Sequence, residues 1–501
     1  MANPLKSLIK DTAVYGLSSV VGRFLNWLLT ALYSRILFTG EFGVMTNLYA
    51  VIALLLIVLT YGMETSFFRF SSTHERPSLV YSTVLRAIGA TSALFLILGL
   101  IFLSPITAYL GREGDEGLVA MLLGIVALDA FATIPLGYLR YAQRPWWFMG
   151  VRMGFILLTI LLTLLAFYGL PWLAEGFPSL FGGWEISGHG LYYIMGINLI
   201  GNIVQILMLS PTFKHACDGF DWGLLRRMLS YGWPILLLGL VGSFNNQADK
   251  LLFPRLFEDR ALGESELGIY SACYKIAVIM ILFTQAFRYA YDPFVFARSK
   301  EGGESAKSAY AVSMKYYIIF TLFIFLGVMS TLEILQYFVG PDFRGGLAVV
   351  PWVMAGQLLF GIYFNLSLWY KLTDRTYWGA ILSVVGCILT VLIIVLGTPH
   401  YSYMACAWAS VVSNGVITLL SYFLAQRYYP IRYELGRIGL YVGLALGLLL
   451  AEWLLAEYVT DYVWVTLPFN LLMCLVYLLV VLKLELPSGG LKPLLARFNK
   501  R

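Results

Sequence analysis

The chain has 501 residues, of which 59% are hydrophobic and only 12% charged, where a soluble domain carries about 25% charged residues. Mean hydropathy is +0.78. So little charge excludes a string of soluble domains, a disordered chain and a disulfide-rich secreted scaffold. What remains is an all-α polytopic membrane protein.

Membrane helices need about 20 predominantly apolar residues. In chain order the windows that qualify are 12–37, 42–66, 80–104, 118–140, 147–168, 190–210, 229–250, 267–289, 309–331, 347–370, 377–397, 401–425, 436–456 and 462–482. The separators are short and carry Gly, Pro and charge, as in Gly111-Arg-Glu-Gly-Asp-Glu. The longest outer one, 169–189, is too short for a soluble domain. The first window is read as a span and not as a cleavable signal, because its apolar run is too long for an h-region.

Orientation follows from Lys and Arg, which favour the cytoplasmic side. With fourteen crossings and the N-terminus inside, 24 of the 34 Lys and Arg fall on inner segments and 6 on outer ones. Both termini are therefore predicted to be cytoplasmic. The formal net charge of +6 is an inner-face excess that faces anionic lipid headgroups; it calls for no nucleic acid. The five cysteines and four histidines show no metal-ligand spacing, and no phosphate-loop, zinc-hydrolase or serine-hydrolase motif occurs. An enzyme is not predicted.

Spans 1 and 7 align as a repeat. Gly22 and Arg35 match Gly242 and Arg255 at an offset of 220; Glu41-Phe-Gly-Val and Tyr49 match Glu266-Leu-Gly-Ile and Tyr274 at 225. The expected organisation is an N-lobe over residues 1–215 (spans 1–6), a C-lobe over 216–430 (spans 7–12), and 431–501 with spans 13 and 14 and a basic tail. An even number of spans per lobe sets the repeat axis along the membrane normal, with a cavity between lobes suited to alternating access.

A charge at mid-membrane costs at least about 2.5–3.5 kcal/mol and faces a cavity or a partner. In span 1, Ser19, Arg23, Asn26 and Thr30 share one helix face. Lys275 lies mid-depth in span 8; both it and Arg23 are read as lumen cations. Arg86 and Arg152 lie close enough to the inner surface to snorkel, and Lys315 is expected at the interface. Span 6 carries Asn198, Asn202 and Gln205 on one face, and span 7 carries Asn246 and Asp249 beside Lys250. Asp129 in span 4 and Glu64 in span 2 are either proton or Na⁺ sites or counter-charges for Arg23, Arg86 or Arg152. Cations within spans outnumber carboxylates four to two on this count, a bias toward an anionic cargo such as a phosphate or pyrophosphate.

Several stretches carry a family resemblance: Tyr15-Gly-Leu-Ser-Ser-Val-Val-Gly-Arg-Phe-Leu-Asn, Glu41-Phe-Gly-Val, Asp249-Lys-Leu-Leu, Gln285-Ala-Phe-Arg-Tyr-Ala-Tyr-Asp-Pro-Phe and Gly361-Ile-Tyr-Phe-Asn-Leu-Ser-Leu-Trp-Tyr-Lys-Leu-Thr-Asp-Arg-Thr. With the span number and doubled half, the chain resembles the polysaccharide-biosynthesis flippases of the MOP superfamily, which includes the O-antigen flippases, the lipid II flippase and the MATE antiporters. The resemblance implies a bacterial inner-membrane protein that moves an undecaprenyl-pyrophosphate-linked oligosaccharide. It implies a cationic lumen, for which Arg23 and Lys275 are the candidates, with Asn26, Arg86, Arg152 and Asn246 lining it. It also implies an H⁺ or Na⁺ gradient, with Asp129, Glu64 and Asp249 as candidate coupling sites and no bound cofactor or metal. Implied partners are the glycosyltransferases or polymerase of the same pathway. The rival readings are a MATE-like drug or metabolite antiporter, which calls for an acidic interior, and a membrane glycosyltransferase or polymerase, which calls for a larger outer loop.

Overall fold

The computed structural model describes residues 21–22, 24–177, 188–299, 303–373, 375–460 and 462–486, and all regular structure among them is helical. The predicted first span falls mostly outside these residues; its described part is α1 (24–36). Then follow α2 (Thr39–Thr73), α3 (Pro77–Ile101), α4 (Glu116–Tyr141), α5 (Pro145–Gly176), α6 (Gly190–His215), α7 (Trp222–Leu256), α8 (Arg260–Arg288), α9 (Glu304–Ser330), α10 (Pro341–Leu372), α11 (Tyr377–Tyr401), α12 (Met404–Tyr428), α13 (Leu435–Tyr458) and α14 (Val463–Glu485). These 13 helices are each long and apolar enough to cross a membrane, and each coincides with one predicted window. Their outward faces are apolar, as Leu94, Ile97, Leu98 and Ile101 of α3 and Leu446 and Leu450 of α13 illustrate. Water would not tolerate such surfaces, whereas lipid requires them.

The chain divides into two compact units, Met1–Ser271 and Ala272–Arg501. The division falls within α8, beyond the 215/216 boundary expected from the repeat, because α7 and the first turns of α8 lie against α2. Helices α2 and α7 run antiparallel. Asn47 Nδ2 donates to Lys250 O at 2.6 Å, and Ser66 Oγ donates to Met228 O at 3.1 Å. These bonds are 19 residues apart on α2, about 30 Å of helix. Between them α2 breaks at Tyr61 and Gly62, both with positive φ (32° and 72°). A Cβ on Gly62 would lie 2.5 Å from Gly232 O, so the break is where the α7 backbone comes closest. Asp221 caps the start of α7 by accepting from Leu224 N at 3.0 Å. Below the break, Met63, Phe67, Tyr81, Ile88, Ile134 and Met228 form a buried core.

In the second unit, α9, α13 and α14 enclose Tyr317, Leu322, Tyr441 and Tyr477. Lys315, expected at the interface, is instead buried. Its ammonium pairs with Glu485 at 3.0 Å and Glu434 at 3.2 Å, and Arg437 joins both carboxylates. At the far end of the same three helices Glu452 is buried and accepts a hydrogen bond from Ser330 Oγ at 2.7 Å. Both groups fall in spans and neither entered the four-to-two balance. Adding one cation and one carboxylate leaves the cationic excess unchanged, and the location of each charge carries more weight than the count.

Candidate functional site

The intramembrane polar groups of the first unit gather where α2, α4, α5 and α6 meet. Asp129 projects from the middle of α4. Arg152 of α5 is the cation that acts most strongly on its carboxyl group, and the Asn202 amide of α6 faces it. Asn202 is 1% exposed, and neither amide atom makes a hydrogen bond of regular geometry. One turn along α6, Gln205 Oε1 is likewise buried and unbonded. One turn the other way, Asn198 Nδ2 donates to Tyr49 Oη of α2. Buried amides left open beside a carboxyl group are costly unless a water, proton or ion completes them.

The other sequence candidates are distributed as follows. Glu64 forms an ion pair with Arg140, a partner outside the three arginines considered for it. The Arg140 guanidinium sits between the rings of Phe68 and Phe148, 5.3 and 5.6 Å from their centroids. Asp249 pairs with its neighbour Lys250 at 3.3 Å and accepts from Tyr270 Oη at 2.9 Å. Among the described residues Asp129 makes no such ion pair. Asn26, Arg86, Arg152 and Asn246 are exposed on membrane helices of the first unit, and Lys275 in the second is partly buried. Arg23 lies outside the described residues.

A second feature lies at the other end of the first unit, where the starts of α2 and α8 cross. A Cβ on Gly43 would lie 1.8 Å from Glu264 O; one on Gly268 would lie 1.9 Å from Thr39 O. The two contacts are reciprocal. Gly43 and Gly268 are 225 residues apart, as are Thr39 and Glu264, and 225 is the repeat offset read from the sequence. This is the pattern of an isologous two-fold contact, in which i meets j and j meets i. Thr39 Oγ1 and Ser265 Oγ hydrogen-bond at 2.7 Å. Glu264 pairs with Arg112 and with Arg260, the latter at 3.1 Å, and Arg260 also donates to Leu110 O. Arg112 and Arg260 lie outside the apolar windows, where hydropathy carries no signal for this cluster; the 225-residue offset was the signal that could have found it.

The polysaccharide biosynthesis protein family matches residues 8–287, more than half of the sequence. The chain belongs to the polysaccharide biosynthesis protein family. This family member is similar in structure to the lipid II flippase MurJ in an inward-closed conformation, with a TM-score of 0.71 and 12% identity over 94% of this chain and 98% of that one. It is similar to an inward-facing multidrug resistance MATE transporter of the MOP superfamily, with a TM-score of 0.60 and 15% identity over 81% of this chain and 95% of that one. A MATE protein in the straight conformation gives 0.60 and 14% identity over 85% and 96%. No curated protein sequence matches the chain. At these identities the structural likeness establishes the fold. With the family and its apolar helices it makes the chain a multi-pass membrane protein of the fold those structures share.

Proposed function

We propose that this family member is a flippase of the bacterial inner membrane, with both termini cytoplasmic. It moves a polyprenyl-pyrophosphate-linked oligosaccharide to the outer leaflet by alternating access. The headgroup enters a polar path lined by Asn26, Arg86, Arg152 and Asn246, and the lipid tail stays in the bilayer. Arg23 and Lys275 hold the pyrophosphate, since guanidinium and ammonium groups in a low-dielectric path are strong phosphate ligands. The observation that carries this reading is the Asp129–Arg152–Asn202 group, a carboxyl group and a cation within the membrane helices next to a buried amide. Charged groups within membrane helices are costly, and one without an ion-pair partner is a default candidate for a transport site.

Asp129 is the coupling carboxylate in this scheme, because Glu64 and Asp249 are already held in ion pairs. Uptake of H⁺ or Na⁺ there weakens its attraction for Arg152 and frees that cation for the cargo phosphate. The Gly43–Gly268 crossing forms the outer closure and the two-fold of the repeat.

In a flippase-null strain, Arg23→Ala and Lys275→Ala are expected to abolish complementation at normal protein levels. Asp129→Asn is expected to lower the gradient-driven rate about tenfold, the equivalent of 1.4 kcal/mol in the barrier. Full complementation by all three variants would overturn the assignment. Drug efflux by the wild-type chain without complementation would favour the antiporter reading.

A further inference from the structure

Helices α11 and α12 of the second unit leave a groove of about 460 Å³ between them. Its walls include Ile381 and Val385 of α11 and Leu420 and Phe423 of α12, and it ends at Trp378 and Arg427. From Trp378 to Val385 and from Leu420 to Arg427 each wall spans seven residues, about 10 Å. Ile381, Leu420 and Phe423 are exposed along it.

The polar end is built of donors. Two guanidinium groups lie by the Tyr428 ring: Arg375 is 4.2 Å and Arg427 5.9 Å from its centroid. Its other neighbours are Trp369, stacked at 5.6 Å, and through Trp369 the indole of Trp378 at 6.3 Å. The Trp378 Nε1–H is buried and has no acceptor. Neither Arg375 nor Arg427 makes an ion pair among the described residues. An apolar trough that ends at the Arg427 guanidinium and an unused N–H, with Arg375 near the same Tyr428 ring, is complementary to a molecule with a hydrocarbon chain and an anionic oxygen-rich head.

We propose that this groove is a binding site for an anionic phospholipid of the cytoplasmic leaflet. One acyl chain lies between α11 and α12, the phosphate is on Arg427 and Arg375, and an ester or phosphate oxygen accepts from Trp378 Nε1. The leaflet follows from the orientation in which inner segments carry the Lys and Arg.

The test uses the purified full chain in neutral detergent with dioleoyl phosphatidylglycerol, dioleoyl phosphatidylcholine or undecaprenyl phosphate added singly. Native mass spectrometry reads the retained adduct, and thermal unfolding reads stabilisation. Phosphatidylglycerol is expected to remain as a one-to-one adduct and raise the midpoint; phosphatidylcholine is not. Arg427→Gln, at an exposed position, should weaken retention about tenfold, as expected for loss of a charge-assisted contact. Val385→Phe should abolish retention by filling the groove while both arginines stay in place. Equal retention of the two phospholipids, or retention unchanged in both variants, would overturn the proposal. An adduct with undecaprenyl phosphate but not with phosphatidylglycerol would also overturn it and would give the groove to the cargo carrier.

Discussion

Gly43→Ala and Gly268→Ala are expected to cripple transport to a similar degree. In both, the new methyl group would meet a backbone carbonyl at less than 2 Å, Glu264 O in one case and Thr39 O in the other. No rotamer change relieves a clash with backbone, so α2 and α8 must move apart. Overpacking of this kind costs about 1–3 kcal/mol. The crossing also holds Thr39 against Ser265 and sets Glu264 between Arg112 and Arg260, so its loss would leave the outer end splayed. Gly447→Ala in α13, where a Cβ meets nothing within 4 Å, is the control. It should leave transport intact and, by helix propensity, stabilise by up to about 1 kcal/mol. Thermal unfolding and complementation of the three variants side by side provide the check. Comparable losses at Gly43 and Gly268 would reflect their two-fold equivalence.

A cysteine pair at Thr39 and Ser265 is expected to lock the transporter. Their hydroxyl oxygens are 2.7 Å apart, so paired Sγ atoms would fall within reach of a disulfide with its usual sulfur separation of about 2.0 Å. In a background with the exposed Cys217 replaced by Ser, Thr39→Cys/Ser265→Cys should cross-link under mild oxidation. Transport should fall to the protein-free level and return on reduction. Each single variant should be insensitive to oxidant. If the closure opens and shuts once per cycle, a covalent tie across it stops the cycle without unfolding the helices. Transport that continues at full rate in cross-linked protein would remove the crossing from the mechanism.

Much of this fold was legible in the sequence because hydropathy and charge placement are one-dimensional signals. Each described helix lies over its predicted window, and the breaks fall at Gly, Pro and charge. Pairings between helices were less accessible, since they depend on which faces meet. Glu64 found Arg140, at the end of the next-but-one helix, where periodicity gives no preference among several arginines. Lys315 looked interfacial from its depth in the window, yet Glu434 at the start of α13 and Glu485 at the end of α14 enclose it. Glu452 was hidden because one carboxyl group barely changes the mean hydropathy of a long apolar run. The open amides of α6 were readable as a polar stripe on one face. Their position beside Asp129 and Arg152 became clear only from the packing of α4, α5 and α6. The repeat stands between these cases. Its offset was visible in Glu41-Phe-Gly-Val and Glu266-Leu-Gly-Ile, but the reciprocal contact of the two glycines required the fold.

The most direct test of the central claim is reconstitution. The purified chain in liposomes, loaded on one leaflet with an undecaprenyl-pyrophosphate-linked oligosaccharide, should expose the glycan on the opposite leaflet to an impermeant lectin or glycosidase. An imposed ion gradient should raise the rate, and Asp129→Asn should remove that dependence. Glycan exposure no faster than in protein-free liposomes, with the protein folded and a gradient present, would contradict the account.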